Sequence, residues 1–444
     1  MYGHVVYPLY IGLKSRGLPD VEPPAPDVWP SLSVVVAAYR ESAVIGAKLD
    51  QLAACGYPGP MEVIVVADDP ATAAAATRPG VRVLADGERR GKAAAVNRGV
   101  AAATNGIVVL SDANAVLADG AFTAVARHFT DATIGAVAGE KRVDDAAGAQ
   151  GFYWKFESWL KCRESATGQT IGVVGEMLAF RREAFVPLPH DVAVDDAWLA
   201  LDIAEAGLRV IYEPEAYSVE SANTDPTDEW ERRTRIVAGN LDMLWRRRDA
   251  LVPGALPVTP QLWGHRLIRS SLGPLAHAAL VGLSLPAARD SWPARVFLAG
   301  NAFGFGSMIM IMRGEGDEDG ETSAPAPVRL AAQVFFLQAV ALGGVRRFLA
   351  KDRPAVWPKP ERAAPAAVPA PSAPAELEPI AGPAPLVAET RAHEPAPHRA
   401  DAHGPEASAE ADTTAAAPGA GRPGTVDATA AGVGWWRQDS AGAF

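Results

Sequence analysis

Between residues 31 and 114 the chain alternates short apolar runs with helix-patterned segments, and no other feature constrains its fold as strongly. SLSVVVAAY (31–39), MEVIVVADD (61–69), VRVLADG (81–87) and GIVVLSDAN (106–114) read as strands. Between them, ESAVIGAKLDQLAACG (41–56) has helical spacing with a glycine stop, and GKAAAVNRGVAAAT (91–104) reads as a second helix. Parallel strands need crossover connections, so this alternation predicts an α/β fold with a mostly parallel, Rossmann-like sheet covered by helices. Such sheets bind ligands beyond the carboxyl ends of their strands. No G-x-G-x-x-G follows the first strand and no G-x-x-x-x-G-K-[ST] occurs, which removes the usual dinucleotide and P-loop readings.

The α/β zone spans residues 31–250 and is flanked by segments of different character. Residues 1–30 form an apolar and linker segment. Its patch at 5–13 is too short to span a bilayer, and fits an interfacial anchor or the remnant of a longer helix. Residues 251–357 hold three apolar segments, at 272–285, 296–312 and 330–345, near the ~17-residue lower limit for a spanning helix. They read as membrane helices rather than as a buried helical core, because few charges interrupt them. Arg266 and Arg269 precede the first, and Arg346, Arg347, Lys351 and Arg353 follow the third. Both clusters prefer the cytoplasm, which three crossings cannot satisfy. Trp245-Arg246-Arg247-Arg248 suits an anionic headgroup surface. Residues 358–444 are rich in Ala and Pro and poor in large apolar residues, and read as a disordered tail with a GVGWWRQ stretch near its end. The net charge of −11 argues against nucleic acid as a partner. The two cysteines, Cys55 and Cys162, form neither a metal-ligand spacing nor a disulfide framework and fit a reducing compartment.

Four polar sites stand at strand ends or helix starts. Asp68-Asp69 precedes Pro70, Gly91-Lys92 opens a helix, Asp112-Ala113-Asn114 ends the fourth strand, and Asp195-Asp196 begins a later amphipathic helix. Each has an ordinary structural explanation: a turn former, a solvated lysine, an N-cap, or carboxylates favoured by the helix dipole. Their occurrence in one order, carboxylate, Gly-Lys, Asp-x-Asn, Asp-Asp, favours a common site above the sheet.

These stretches, with VVVAAYRES, GEMLAFRREAF, DDAWLALDIAEAGLRVIYEPEA and ERRTRIVAGN, resemble the inverting family 2 glycosyltransferases of the glycosyltransferase-A fold. The resemblance covers residues 31–250 and points to the membrane-associated, polysaccharide-synthase-like members. It implies that Ala38, Tyr39 and Glu41 border the nucleotide, that Asp68 recognises a uracil-type base, and that Lys92 lies beside the diphosphate. Asp112 matches the first residue of the D-x-D motif, and with Asn114 would hold Mg²⁺ or Mn²⁺. Asp196, next to Asp195, matches the catalytic base. Gly175 and Glu176 fall in the acceptor-side loop, Arg232 falls on the donor side, and Arg235, in contact with the diphosphate, joins Asp195 and Asp196 as a catalytic residue.

General chemistry fits those roles. A nucleoside diphosphate leaving group gains negative charge, which a hard divalent cation on oxygen ligands and a nearby cation stabilise. A sugar hydroxyl needs a base. Two departures stand out. Where processive members carry Gln-x-x-Arg-Trp, this chain has Arg232-Arg233-Thr234-Arg235-Ile236, and Asn114 replaces the second Asp of D-x-D. A basic helix face, solvated or lipid-facing, is the plain alternative for the arginine cluster. The implied function is transfer of a sugar from a nucleotide-sugar donor, UDP-type, to an envelope or extracellular polysaccharide, with the catalytic domain on the cytoplasmic side of the cell membrane. Single-sugar transfer to a polyprenyl-phosphate or glycolipid, and a non-catalytic nucleotide-binding scaffold, are the alternatives. A sugar nucleotidylyltransferase would need a Gly-rich, Arg-containing loop after the first strand, and AAYRESAVIG is not one.

Overall fold

Eight strands build one sheet: β1 (Leu32–Ala38), β2 (Met61–Ala67), β3 (Val81–Leu84), β4 (Ile107–Asp112), β5 (Val116–Leu117), β6 (Ile134–Val143), β7 (Leu178–Arg181) and β8 (Arg209–Glu220). The computed structural model describes residues 5–19, 23–85, 89–143, 149–220, 226–312 and 324–352, all within the unit Met1–Ala373. The tail at 358–444 and its GVGWWRQ stretch lie outside the described residues. The sheet order is β3-β2-β1-β4-β7-β6-β8-β5. β3, β2, β1 and β4 are mutually parallel, as the alternation predicts. β7 runs antiparallel to β4 and β6, and β5 antiparallel to β8.

The uninterrupted apolar run of β1 is explained by burial on both faces. Val35 joins Ile64, Val66 and the α4 and α7 side in one core. Val34 and Val36 join Val65 and the α2 and α5 side in the other. The helices are α1 (Val6–Lys14), α2 (Ile45–Ala54), α3 (Pro70–Ala76), α4 (Lys92–Ala102), α5 (Ala121–Ala126), α6 (Ala149–Ala166), α7 (Asp195–Glu205) and α8 (Pro226–Arg246). Then follow α9 (Thr259–Gln261), a π-helix over Leu262–Leu272, α10 (Gly273–Ala287), α11 (Trp292–Met312) and α12 (Ala326–Leu349).

The apolar N-terminal patch forms α1, which buries Tyr7 and Ile11 against Leu160 of α6 and leaves Leu9 and Leu13 exposed. Of the three apolar C-terminal segments, two form helices long and apolar enough to cross a membrane, Trp292–Met312 and Pro327–Leu349. The first segment forms α10, which continues the π-helix without a break and is not one of those two.

The flanking arginines differ from their sequence reading. Arg269 pairs with Glu157, while Arg266 donates to Asn240 Oδ1 (2.9 Å) and Ile171 O (2.6 Å), so both are built into the unit that carries the sheet. Arg246 pairs with Asp191 and Asp242, and Arg247 with Asp202 and Glu205, so neither is offered to headgroups. α12 lies close against α8: a Cβ on Gly344 would approach Val237 Cβ to 2.4 Å. Only a residue without a side chain allows that separation.

Candidate active site

The parallel register brings three strand ends to one edge. Ala38 of β1 lies opposite Ala67 of β2, and Ala37 lies opposite Asp112 of β4. β1 is flanked by β2 and β4, the point where the strand order reverses and a crevice opens. Asp68 follows β2 with a side chain only 5% exposed, and its Oδ1 lies 3.1 Å from Arg98 Nη1 of α4. Its neighbour Asp69 takes the ordinary role, capping α3 by accepting from Thr72 N–H (2.9 Å). Asp69 also accepts from the N–H of Arg40, which adopts φ +53°. The guanidinium of Arg89 lies over the Tyr39 ring, 4.1 Å from its centre. Glu41 is buried, its N–H bonded to Thr72 Oγ1 (2.9 Å).

Gly91, at φ +89°, ends the loop so that Lys92 becomes the first residue of α4. Lys92 Nζ bonds Asp112 Oδ1 at 2.9 Å and lies 3.9 Å from Asp195 Oδ2, joining the strand end to the start of α7. Burial alone would lower the Lys92 pKa, but Asp112 and Asp195 together raise it, so the ammonium stays charged. Asp196 shows the opposite balance. Burial, then Asp195, push its carboxyl up to about 6, against the pull of Arg266, Lys92 and the Ala197 N–H. Arg235 of α8 is lowered to about 10 by burial, while Asp195 and Asp196 favour its charge and Arg232 and Arg347 oppose it. A Cβ on Gly175 would lie 3.2 Å from Lys92 Nζ and 3.7 Å from Asp196 Cβ, so the loop that carries Gly175 borders both. Glu176 accepts from Lys141 Nζ at 2.7 Å. The structure thus gathers Lys92, Asp112, Asp195, Asp196, Arg235 and Gly175. Arg232 is near enough to act on Arg235 and is bonded twice to Glu229 on its own helix at 2.9 Å.

Asp112 and Asn114 offer hard oxygen donors at the end of β4. Among the described residues no group of three or more His, Cys, Asp and Glu side chains could hold a metal ion by itself. That donor set fits a cation which completes its shell with substrate phosphate and water, the usual habit of Mg²⁺. Two α2 side chains hold this segment. Lys48 Nζ donates to Ala115 O (2.7 Å), and Gln51 exchanges both amide groups with the Leu117 backbone. Burial lowers the Lys48 pKa to about 7, with Asp112 acting the other way.

Sequence reasoning missed Lys48, Arg98 and Arg266 as parts of the site. Lys48 left one sign, a charge on a face whose neighbours Ile45, Leu49 and Leu52 are buried.

Residues 30–239 match the family model described as "Glycosyltransferase like family 2". Two proteins named N-acetylglucosaminyltransferase are each 27% identical to the chain. One, from Mesorhizobium japonicum, aligns over 230 residues, covering 44% of this chain and 52% of its own length. The other, from Rhizobium sp. strain N33, aligns over 229 residues, 44% and 49% of the two lengths. The chain therefore spans about half the length of the curated relatives it matches. Among solved structures, a mannosyltransferase from Pyrobaculum calidifontis in complex with GDP-Man and Mn²⁺ superposes with a TM-score of 0.61 at 27% identity, covering 78% of this chain and 96% of that one. Over its sheet-bearing region the chain is similar to the family-2-like glycosyltransferases and has a glycosyltransferase-A fold.

Proposed function

We propose that the protein is a membrane-bound, metal-dependent, inverting glycosyltransferase. It moves a sugar from a nucleotide-sugar donor, UDP-type, to a growing envelope or extracellular polysaccharide. The observation that carries this reading is the Lys92 bridge, which binds the Asp112 strand end and places it beside the Asp195–Asp196 pair.

Asp68 is positioned to receive the base, and Lys92 and Arg235 to balance the diphosphate. Mg²⁺ or Mn²⁺, held on Asp112 and Asn114, would supply Lewis-acid stabilisation of the departing phosphate oxygen. The Mn²⁺ and GDP-Man in the archaeal mannosyltransferase support a cation and a nucleotide sugar at such a site. Asp196 takes the proton of the acceptor hydroxyl as that oxygen attacks the anomeric carbon. The bond to the diphosphate breaks on the opposite side, and the configuration inverts. A carboxyl pushed up to about 6 is a better base than an ordinary Asp and is still largely ionised at neutral pH.

The two candidate spans support an anchored protein with both ends of the pair on one side. An even number of crossings returns the chain to the face it left, so the sheet-bearing domain and Arg346, Arg347 and Lys351 share the cytoplasmic side. The connecting residues 313–323, RGEGDEDGETS, carry five acidic residues and one arginine, as the opposite side permits. One observation favours single-sugar transfer to a lipid: the Gln and Trp of the processive motif are replaced by Arg232 and Ile236.

The test is release of nucleoside diphosphate from a panel of nucleotide sugars, N-acetylglucosamine and mannose donors included. Membranes carrying the parent or Asp196→Asn protein are compared with and without Mn²⁺ or Mg²⁺. Metal-dependent release from one donor, lost in the variant, is the expected result. Release that persists in Asp196→Asn sinks the assigned base, and nucleotide binding without release under any acceptor leaves the scaffold reading.

A further inference from the structure

The π-helix over Leu262–Leu272 is 11 residues long. Such helices are rare, mostly single turns, and recur at functional sites. Contacts outside the helix must therefore hold this one, and they come from two elements. From α1, the Tyr7 ring lies directly on its backbone: a Cβ on Gly264 would come within 2.3 Å of Tyr7 Cδ2. From α6, two buried carboxylates flank His265. Its Nδ1 lies 2.9 Å from Glu164 Oε1 and its Nε2 lies 3.1 Å from Glu157 Oε2. Arg269, one turn on, pairs with the other oxygen of Glu157. The hydroxyls of Tyr7 and Thr170 donate to the two oxygens of Glu164, each at 2.6 Å. A neutral imidazole has one N–H and one lone pair. Between two carboxylates it would turn that lone pair on an anionic oxygen, so the geometry calls for the imidazolium. Burial alone would lower the His265 pKa, but Glu164 and then Glu157 raise it. The titratable groups around the ring are Glu157 and Glu164 from α6, Tyr7 from α1, and Arg266 and Arg269 on its own helix.

Arg266 follows His265 in the chain and works toward the candidate site. Its guanidinium joins two segments, bonding Ile171 O at 2.6 Å and Asn240 Oδ1 of α8 at 2.9 Å. Each segment reaches Asp196 within a few residues. Ile171 begins the stretch that ends at Gly175, where a Cβ would lie 3.7 Å from Asp196 Cβ. Asn240 follows Gly239, where a Cβ would lie 2.9 Å from Ala193 Cβ and 3.1 Å from Val194 Cγ1. Those two residues stand directly before Asp195 and Asp196. Thr170 adds a second tie, donating to Glu164 and accepting from the Gly172 N–H at 3.0 Å. Of the cations that favour the charged form of Asp196, Arg266 acts more strongly than Lys92.

We infer that His265 is a positioning residue for Asp196. Clamped between Glu157 and Glu164, it fixes the register of the π-helix, and with it Arg266 and the two segments that frame the carboxyl. The N-terminal helix α1 takes part through Tyr7, which completes Glu164 and seats the turn at Gly264. The inference rests on the glycosyltransferase reading for the role of Asp196, and deepens it by naming what holds that group in place.

The test reads the titration of Asp196 in two ways in the detergent-solubilised full chain. One is the acid limb of kcat/KM. The other needs no turnover: the Tm of each protein is subtracted from that of its Asp196→Asn counterpart from about pH 4 to about pH 8. That difference should grow with pH up to the folded pKa of Asp196 and stay constant above it. In His265→Gln the guanidinium is no longer held near Asp196, so the limb and the end of the rise should both move up by about one pH unit. Arg266→Gln should do the same, and Arg266→Lys, which keeps the charge, should shift them less. Tyr7→Phe loses only the hydroxyl on Glu164. It should move both upward by a smaller amount, and it tests the same link where His265→Gln does not fold. A folded His265→Gln with a lower Tm but an unmoved limb and Tm difference would make His265 merely structural and overturn the inference. A shift confined to the Arg266 variants would overturn it too. A shifted Tm difference in a protein that turns over no donor keeps the positioning role and removes the proposed function. Turnover with neither readout moved in any folded variant does the reverse.

Discussion

Asp196 stands where burial and a like charge oppose two cations, and burial with Asp195 prevails. As the proposed base it must be ionised, so kcat/KM should fall about tenfold per pH unit below pH 6 and level off above it. A pH–rate profile with no limb between pH 5 and 7 would remove Asp196 from that role. The same balance has a stability consequence. A carboxyl whose folded pKa is raised binds its proton more tightly in the native than in the unfolded state. Stability therefore declines as pH rises from the unfolded value near 4 through about 6. Asp196→Asn removes the buried charge, so at pH 7.5 it should eliminate transfer yet raise Tm by about 2–4 °C for each ~1 kcal/mol relieved. Calorimetry of the two proteins at pH 7.5 and pH 4.5 checks this, because the gain should shrink at the lower pH. A variant that loses both activity and Tm would make Asp196 a structural residue.

Helices and strands differ in how openly they announced themselves. β1, β2 and β4 were legible because strands buried on both faces must be continuously apolar, and their terminal aspartates stood out against those runs. The ring of charge behind the site was not legible. Glu157 and Glu164 of α6 and His265 and Arg269 of the π-helix make a buried network, but in a one-dimensional pattern they resemble a solvated face or a membrane flank. Partners more than a hundred residues apart carry no local signature. α2 shows the same difficulty, since Lys48 looks like a surface lysine and instead clamps the turn after β4, where the proposed metal ligands Asp112 and Asn114 lie. A buried charged hydrogen bond is worth roughly 1.5–3 kcal/mol. Lys48→Met should therefore weaken Mn²⁺-dependent nucleotide binding at least about tenfold, measured by titration calorimetry, while metal-free binding changes little. Equal loss with and without the metal would assign Lys48 to the nucleotide instead. Between α8 and α12 the decisive residue is Gly344. A Val there must push the helices apart, costing about 1–3 kcal/mol as overpacked cores do. Gly344→Val should lower the Tm of the detergent-solubilised protein by several degrees, and an unchanged Tm would mean that the two helices separate freely.

Across the whole molecule, the membrane arrangement follows from how many helices can cross. Three crossings would place Arg266 and Arg269 on the opposite side from Arg346 and Arg347, which is the conflict the sequence presents. The structure removes its premise. Arg266 and Arg269 are internal to the site region, and Arg347 of α12 reaches Thr234 Oγ1 (3.3 Å) on α8. In the proposed arrangement, two crossings by α11 and α12 would leave and re-enter on the face that carries the candidate site, with the acidic 313–323 connection on the other. Single cysteines distinguish the arrangements when the free cysteines Cys55 and Cys162 are first replaced by Ala. A membrane-impermeant maleimide should label Gly316→Cys in intact cells. It should label Lys351→Cys, beyond the exposed end of α12, only after the cells are permeabilised. Labelling of Lys351→Cys from outside with Gly316→Cys protected would place the active-site face outside the cell, and labelling of both from outside would mean that α12 does not cross. Labelling of neither until permeabilisation would mean that α11 and α12 lie along the bilayer surface rather than through it.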